Sequence, residues 1–334
     1  MAQSRRALVG AVALAVATPA LLRLRLAEAQ GAFQGSAGAA APGAQAPGFY
    51  RFRVGSHLVT MLYDGFVRRQ NPAQGVVTNA EPAAVEAALR DSLLRTDVME
   101  VGITASMVEA NGRRILFDAG SAGAMGPTTG RFSDNLRSAG IEPASITDIV
   151  ISHFHPDHIN GLTGSGETPV FGNARVHVPE REWRFWSDPA NGVNLSEARR
   201  AIFGLTQRRL AAPYRDRIQT FGDEAEVLPS VRAVPSYGHT PGHTSFLVSD
   251  GNAQLLVLVD AVLSPALFVR NPGWHHAFDM DGPMAEQSRR RLLDRAAADR
   301  LRVTGYHFSF PANGYIGREG DRFRYHPAEW SGQV

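Results

Sequence analysis

The sequence predicts a mixed α/β fold of the α+β type, in which sheets pack between layers of helices. The composition is that of a globular protein with a substantial core, because 44% of the 334 residues are hydrophobic and 20% are charged. Segments with strand-like patterns occur in hairpin pairs, and segments with helical periodicity are interspersed among them. Elements in this order bury their apolar faces well when helices cover the outer faces of stacked sheets.

Strands are predicted where apolar residues alternate or form short runs bounded by turn residues. Residues 52–64 alternate loosely and predict a pair of strands. Residues 101–108 and 114–117 flank Asn111-Gly112, a dipeptide typical of tight hairpin turns. Further short strands are predicted, in chain order, at residues 148–152, 174–178, 231–235, 244–248, 254–259 and 301–304.

Helices are predicted where apolar residues recur every three or four positions. Residues 82–94 place Val85, Leu89 and Leu93 on one face and begin with a proline, which favours a first turn. The strongest helical pattern covers residues 284–300. Shorter helices are predicted at residues 133–139, 180–186 and 196–209.

The composition also excludes several kinds of chemistry. All 34 basic residues are arginine, and the chain has no cysteine. A lysine Schiff base, a thiolate nucleophile, a disulfide and a cysteine zinc ligand are therefore excluded. The formal net charge of +2 gives no indication of nucleic-acid binding. Any metal site must use histidine and carboxylate ligands.

The N-terminal segment predicts export. Residues 1–29 combine the adjacent Arg5 and Arg6, a short apolar run and a small-residue cleavage site, and they resemble a twin-arginine signal peptide. Residues 30–47 are rich in glycine, alanine, glutamine and proline and predict a flexible linker before a folded domain at 48–334. We expect a periplasmic or secreted protein with no stable membrane insertion after cleavage. An uncleaved membrane anchor is the alternative.

A dense cluster of potential metal ligands follows the predicted strand at 148–152. Its sequence is His153-Phe154-His155-Pro156-Asp157-His158. A single histidine is usually an ordinary polar residue, but three imidazoles and a carboxylate this close together predict a site for zinc or a first-row neighbour. His153 and His155 flank one residue, so they point to the same side of an extended loop. Asp157 and His158 lie a turn further on, and the spacing therefore suits two adjacent metals.

Further ligands are expected where distant strands end. His243 lies in a glycine- and proline-rich turn, residues 238–244, between two predicted strands. Asp260 follows the apolar strand at 254–259, and His307 follows the last predicted strand. The ends of strands on a rigid sheet are a usual position for site residues. A carboxylate such as Asp260 can also bridge two cations.

These motifs resemble the signature of the metallo-β-lactamase superfamily. The signature consists of the cluster at 153–158, the turn Thr240-Pro241-Gly242-His243-Thr244, the aspartate at a strand end and the final histidine. Within that superfamily the chain is most similar to methyl parathion hydrolase and its lactonase and aryl-ester-cleaving relatives. The closer similarity is carried by residues 47–51, 120–128, 238–244, 278–281 and 309–311.

The resemblance implies a four-layer αββα sandwich with two metals at one edge. The ligands of the first metal would be His153, His155 and His243. The ligands of the second metal would be Asp157, His158 and His307, with Asp260 bridging both metals. Asp118 would orient the site without binding metal.

The remaining histidines are expected outside the ligand set. His239 is predicted to support a ligand or the turn in which it lies. His275 and His276 are predicted in a loop at the edge of the pocket. The last three are expected on the surface or in packing contacts: His57, His177 and His326.

The resemblance implies hydrolysis by a hydroxide that bridges two divalent cations. Zinc is the expected metal, with manganese, cobalt or iron as alternatives. Asp157 and Asp260 are the predicted catalytic carboxylates, because a ligating carboxylate can also carry a proton. A homodimer is expected by analogy with relatives.

The expected substrate is a small apolar or aromatic lactone or aryl ester. The predicted pocket residues are Met125, Trp186, Phe268 and Trp274, which would form an apolar mouth. Met125 stands where the phosphotriester-cleaving relative has an aromatic residue, which disfavours efficient phosphotriester hydrolysis. An organophosphate triesterase is the alternative within the same class. An exported metal-binding protein without turnover is the alternative of another class.

Overall fold

The computed structural model describes residues 48–334. The predicted signal peptide, residues 1–29, and the predicted linker, residues 30–47, lie outside the described residues. None of the helices in residues 48–334 combines the length and the apolar composition that a membrane span requires. The described residues build two seven-stranded sheets with helices packed against them.

The first sheet contains the first seven strands, side by side in chain order. They are β1 (Phe49–Val54), β2 (His57–Gln70), β3 (Val98–Ala110), β4 (Arg113–Phe117), β5 (Asp148–Val150), β6 (Arg175–Pro179) and β7 (Ile218–Phe221). Strands β1 to β4 pair antiparallel, and strands β4 to β7 pair parallel. Strand β5 is buried along its whole length, as expected for a parallel strand covered on both faces.

The second sheet contains the other seven strands, and they again lie side by side in chain order. They are β8 (Glu226–Leu228), β9 (Val231–Pro235), β10 (Thr244–Asp250), β11 (Ala253–Val257), β12 (Arg302–Thr304), β13 (Asn313–Glu319) and β14 (Arg322–Pro327). Strands β11 and β12 pair parallel, and the other neighbours pair antiparallel. A parallel pair needs a long crossover, and a helix supplies it here.

Helices pack on both sheets. The α-helices of the described residues are α1 (Pro82–Asp91), α2 (Phe132–Ser138), α3 (Pro156–Ile159), α4 (Glu180–Ser187), α5 (Glu197–Thr206) and α6 (Gly282–Ala298). The crossover helix α6 begins after Asp281, whose carboxylate accepts a hydrogen bond of 2.9 Å from the Met284 N–H. Its buried face includes Leu292, Leu293 and Ala296. Helix α6 contacts β13 and helix α2 contacts β2, so each sheet carries a helical layer.

The main core lies between the two sheets. Phe117 ends β4 of the first sheet, and Phe246 lies in β10 of the second. Their ring centroids are 5.3 Å apart, and both side chains are buried. Paired aromatic rings of this kind bury a large apolar area and join the sheets face to face. The αββα architecture that the family resemblance implies is confirmed.

Several elements differ from the sequence prediction. The predicted strand pair at 52–64 is the hairpin of β1 and β2, and its second strand continues to Gln70. The predicted helix at 196–209 corresponds to α5, which ends at Thr206. A π-helical turn over 207–211 follows it directly. Strands β7, β8, β13 and β14 are absent from the prediction. Strand β14 is mostly exposed and rich in arginine, and pairing with β13 defines it rather than apolar alternation.

Asp148, at the start of β5, is a buried acid that ties this strand to its neighbours. Its carboxylate shares hydrogen bonds with His177 at 2.9 Å, Thr147 at 2.8 Å and Arg113 at 2.9 Å. Burial raises the pKa of Asp148, but these hydrogen bonds outweigh burial and lower it to about 2. A carboxyl with a depressed pKa stabilises the fold above its unfolded pKa of about 4 and loses that contribution as the pH falls towards 2.

We predict that Asp148→Asn lowers the free energy of unfolding at neutral pH by about 1.5–3 kcal/mol, because charged hydrogen bonds are lost. The difference from wild type should shrink between about pH 4 and pH 2, where the wild-type carboxylate takes up a proton. Urea unfolding at a series of pH values measures both effects. Asp134→Asn is the control, since Asp134 forms only an exposed pair with Arg137. A difference that does not change with pH would contradict the assignment.

Candidate metal centre

The predicted ligand segments meet where central strands end. Strand β5 leads into residues 153–158, and residues 236–243 form the turn between β9 and β10. Asp260 follows β11, and His307 follows β12. Because these strands are neighbours in the two packed sheets, their ends bring the four segments to one edge of the sandwich.

A first group of ligand-type atoms is formed by His153, His155, His239 and Asp260. Each residue offers one atom, and these atoms all lie within 4.8 Å of one another. His155 Nδ1 is 2.9 Å from His153 Nε2 and 3.0 Å from His239 Nε2. His239 Nε2 is also 3.3 Å from Asp260 Oδ2. Three imidazole nitrogens and a carboxylate oxygen therefore surround one point.

A second group lies beside the first and is formed by Asp157, His158 and His307. Asp157 Oδ2 is 3.7 Å from His158 Nε2 and 3.5 Å from His307 Nε2. Asp260 Oδ2 is 3.5 Å from His158 Nε2 and 3.2 Å from His307 Nε2. The Asp260 carboxylate therefore stands between the two groups.

The donor atoms fit divalent cations. His158 Nε2 and Asp260 Oδ1 are buried, and neither has a hydrogen-bond partner among residues 48–334. Burial and neighbouring histidines lower the pKa of His153 and His155 well below the ordinary value, which favours the neutral ring that binds metal. At His239 burial is outweighed by the Asp260 and Asp279 carboxylates, which raise the pKa to about 9. Burial opposes ionisation of Asp260, but His307 and His158 hold the pKa of its carboxyl well below the usual range. Imidazole nitrogens together with a carboxylate suit zinc and its first-row neighbours.

Four of the ligand-type histidines are fixed through their second nitrogen. His153 Nδ1 lies 3.0 Å from the Ser152 hydroxyl. His158 Nδ1 lies 2.9 Å from Asp118 Oδ2, and His239 Nδ1 lies 3.0 Å from Asp279 Oδ1. His307 Nδ1 donates a hydrogen bond of 2.7 Å to a backbone carbonyl of β3. Partners of this kind set the tautomer and the orientation of a ligand ring.

Asp118 stands at the end of β4, next to the cluster loop. Its carboxylate accepts hydrogen bonds from the Ser152 N–H at 2.9 Å and from the Ser152 hydroxyl at 2.7 Å. The same carboxylate faces His158, and it belongs to neither ligand group. Asp118 thus orients His158 and holds Ser152, the residue directly before the cluster, in place.

The structure corrects the roles of the two histidines in the turn at 236–243. The sequence favours His243 as a ligand and His239 as a supporting residue, and the structure reverses them. His243 Nδ1 is 2.8 Å from the Ser236 hydroxyl, and its Nε2 accepts a hydrogen bond of 3.2 Å from the Asp260 N–H. Both nitrogens of His243 are therefore engaged within the protein. His239 directs its Nε2 into the first group instead.

The structure also corrects two predicted pocket residues. Trp186 is only 1% exposed and packs against Phe203 with ring centroids 4.9 Å apart. Phe268 is fully buried. Both belong to the hydrophobic core, so the prediction that they line a pocket is wrong. Trp274 is partly buried against the core, and Met125 is half-exposed in the loop after β4.

Sequence reasoning does not identify three residues that lie next to the ligands. Asp279 holds His239, and it lies in the segment 278–281 that carries the family resemblance, which is the available signal. Phe278 lies in the same segment, and its ring centroid is 6.5 Å from that of His155. Glu182 contacts the loops that carry the ligands, but its sequence context is that of an ordinary polar helix.

The middle of the chain matches a known family and several curated relatives. Residues 98–305, more than half of the chain, match the family described as metallo-beta-lactamase superfamily. The N-acyl homoserine lactonase AttM of Azorhizobium caulinodans is 32% identical over 131 residues, which cover 38% of this chain and 45% of that relative. AttM of Agrobacterium fabrum, also an N-acyl homoserine lactonase, is 30% identical over 132 residues, which cover 38% and 46%. The chain thus spans less than half the length of these relatives.

Solved structures share the fold over most of the described residues. AidC, described as a dizinc quorum-quenching lactonase in complex with a product, matches with a TM-score of 0.78 and 24% identity. The match covers 85% of this chain and 99% of AidC. The hydrolase AbOPH of the beta lactamase superfamily matches with a TM-score of 0.80 and 24% identity, over 86% of this chain and all of AbOPH. At this level of identity the similarity establishes a common fold.

We predict that the protein loaded with excess zinc holds two metal equivalents, one in each ligand group. His239→Ala should hold about one equivalent, because the first group loses a ligand. His243→Ala should still hold two, with affinity lowered about 10–100-fold because Asp260 loses its support. Elemental analysis after removal of free metal measures the stoichiometry. The opposite pattern in the two variants would restore His243 as the ligand, and one equivalent in wild type would contradict the bridged arrangement.

Proposed function

This chain belongs to the metallo-beta-lactamase superfamily, and from that premise we propose that it is a binuclear metal-dependent hydrolase that opens lactones. The observation that carries the proposal is the position of Asp260, whose Oδ2 lies 3.3 Å from His239 Nε2 and 3.2 Å from His307 Nε2. One carboxylate shared by two ligand groups favours two adjacent cations over two separate sites. Adjacent cations are the arrangement used by many hydrolases.

The curated relatives support a lactone as the substrate. Both AttM proteins are described as N-acyl homoserine lactonases, and the AidC structure is described as a complex with the product N-hexnoyl-L-homoserine. A lactone carbonyl is an uncharged electrophile that water can attack directly. The chain has no cysteine or lysine to act as a nucleophile, which agrees with attack by water.

Bound in the two groups, a pair of divalent cations would supply an activated water and polarise the ester carbonyl. Hydrolysis breaks the ring C–O bond and forms a C–O bond to the water oxygen. The proton that the water loses ends on the released hydroxyl of the opened product. Asp157 is suited to hold that proton, since its side chain is 13% exposed whereas that of Asp260 is 3% exposed. The Tyr306 hydroxyl keeps this segment in place by donating a hydrogen bond of 2.7 Å to the Asp157 carbonyl.

An exposed aromatic residue lies beside the first ligand group. Phe278 is 62% exposed, and its ring centroid is 6.5 Å from His155 and 5.1 Å from His276. An apolar wall beside the ligands suits the hydrocarbon part of an acylated lactone better than a charged sugar or nucleotide. We therefore propose Phe278, in place of Trp186, as the aromatic contact of the substrate.

We predict that the zinc-loaded protein hydrolyses an N-acyl homoserine lactone, and that chelation abolishes the activity until metal is restored. Acid release followed with a pH indicator measures the rate. Asp260→Asn should lower kcat/KM by at least about 10–100-fold, because it removes the shared ligand. Faster turnover of a nitrophenyl phosphotriester than of the lactone would favour an organophosphate triesterase instead. Two bound metals with no turnover of either substrate would favour a metal-binding protein.

We predict that Phe278→Ala lowers kcat/KM for a long-chain acyl lactone more than for a short-chain one. The loss of an apolar contact is worth about 1–3 kcal/mol, or roughly 10–200-fold in specificity. Metal content should stay the same, because Phe278 belongs to neither ligand group. Trp330→Ala is the control, since Trp330 is a comparably exposed aromatic residue near the C-terminus. Equal losses on both chain lengths would show that Phe278 does not contact the acyl chain.

A further inference from the structure

Glu182 is a fully buried carboxylate on helix α4 that lies behind the metal centre. Its Oε1 accepts hydrogen bonds from the Phe154 N–H at 3.2 Å and from the Trp186 indole N–H at 2.8 Å. Its Oε2 accepts hydrogen bonds from the Thr240 hydroxyl at 2.8 Å and from the Gly242 N–H at 2.7 Å. Each oxygen thus has two donors, and the buried charge is fully hydrogen-bonded, as burial requires.

The partners of Glu182 belong to the two loops that carry the first ligand group. Phe154 stands between His153 and His155 in the cluster loop. Thr240 directly follows His239 in the second loop. All three histidines of the first group are therefore within one residue of a group that donates to this carboxylate. Trp186 comes from the same helix as Glu182 and holds the carboxylate from the core side.

The loop that carries His239 packs tightly against the start of α4. A side chain at Gly242 would place its Cβ only 2.2 Å from the Glu182 nitrogen, so this contact requires glycine. The close approach brings the Gly242 N–H within reach of the carboxylate. Contact and hydrogen bond together fix the distance between helix and loop.

The chemistry of the contact requires a carboxylate. A glutamine side chain offers one acceptor oxygen, and its NH₂ group would face donors such as the Gly242 N–H. Burial raises the pKa of Glu182, and its four hydrogen bonds offset that rise only in part. All four partners are nevertheless donors, which both oxygens of a carboxylate can accept. An isosteric amide would therefore leave at least one buried donor without a partner, which weakens the link between helix and loops.

We propose that Glu182 is a positioning residue that holds the His153–His155 loop and the His239 loop at the separation required by the first metal. The inference rests on the proposed function only in that the first ligand group binds a divalent cation. The second group is less dependent on Glu182. Its Asp157 and His158 follow the cluster loop, but separate contacts hold them, since the Tyr306 hydroxyl donates to the Asp157 carbonyl and Asp118 holds His158 Nδ1. Its third member, His307, lies on a segment that the carboxylate does not contact. The effect of losing Glu182 should therefore fall mainly on one of the two metals.

Cobalt titration of the full chain tests this proposal, because the visible absorption of Co²⁺ reports its coordination without any substrate. Competition with a chelator gives a dissociation constant for each bound cobalt. In Glu182→Gln the affinity for one cobalt should fall about 10–100-fold and its absorption band should shift, while the other cobalt binds within about threefold of wild type. Glu180→Gln is the matched control, since Glu180 lies on the same helix but forms an exposed pair with Arg184. It should match wild type at both sites.

A second variant covers the case in which Glu182→Gln does not fold. Trp186→Phe keeps the carboxylate and an aromatic ring but removes one donor, and it should weaken the same cobalt by a smaller factor. Wild-type affinities and spectra in both variants would overturn the proposal. An equal loss at both metals, with a matching fall in Tm, would also overturn it, because it would show a general structural role. A wild-type protein that binds two cobalt ions but opens no lactone would refute the proposed function and leave this inference standing.

Discussion

In the interior of the protein, His155 Nδ1 lies about 3 Å from both His153 Nε2 and His239 Nε2. The rest of the structure depends on holding these three ring nitrogens together. Beside them His158 Nε2 and Asp260 Oδ1 are buried without a partner among residues 48–334, and such atoms cost about 1–3 kcal/mol each, so this cluster does not form unless the chain imposes it. Two packed sheets impose it by presenting the ends of several strands at one edge. The aromatic contact of Phe117 with Phe246 joins the two sheets directly.

Local backbone strain accompanies this convergence. Asp118 has a φ of +60°, and Val259, which directly precedes Asp260, has a φ of +50°. A valine in the left-handed region is an outlier, because its branched side chain crowds the backbone. Strain of this kind costs about 1–3 kcal/mol per residue and persists only where the surroundings hold it. The hydrogen bond from the Asp260 N–H to His243 is such a restraint, and it directs the Asp260 carboxylate between the two ligand groups.

The sequence predicts the site best where the ligands are close together in the chain. Three imidazoles and a carboxylate within 153–158 identify a metal site without any knowledge of the fold. His239 and His243 cannot be separated in the same way, because both lie in one glycine-rich turn and only the tertiary structure decides which ring turns inward. The pocket prediction for Trp186 is wrong for a related reason, since aromatic residues of the core and of a pocket have the same sequence pattern. Its hydrogen bond to Glu182 appears only after folding.

The loop that carries His239 is held from two sides by buried acids. On one side the Asp279 carboxylate binds His239 Nδ1, and the fully buried guanidinium of Arg289 lies 3.4 Å from that carboxylate. On the other side Thr240 donates to Glu182. Restraint from both directions fixes the position and the rotation of the imidazole ring through groups of the chain itself. The conformational entropy of the His239 side chain is then lost when the protein folds. Cation binding does not have to order the ring, so the affinity for the cation is higher.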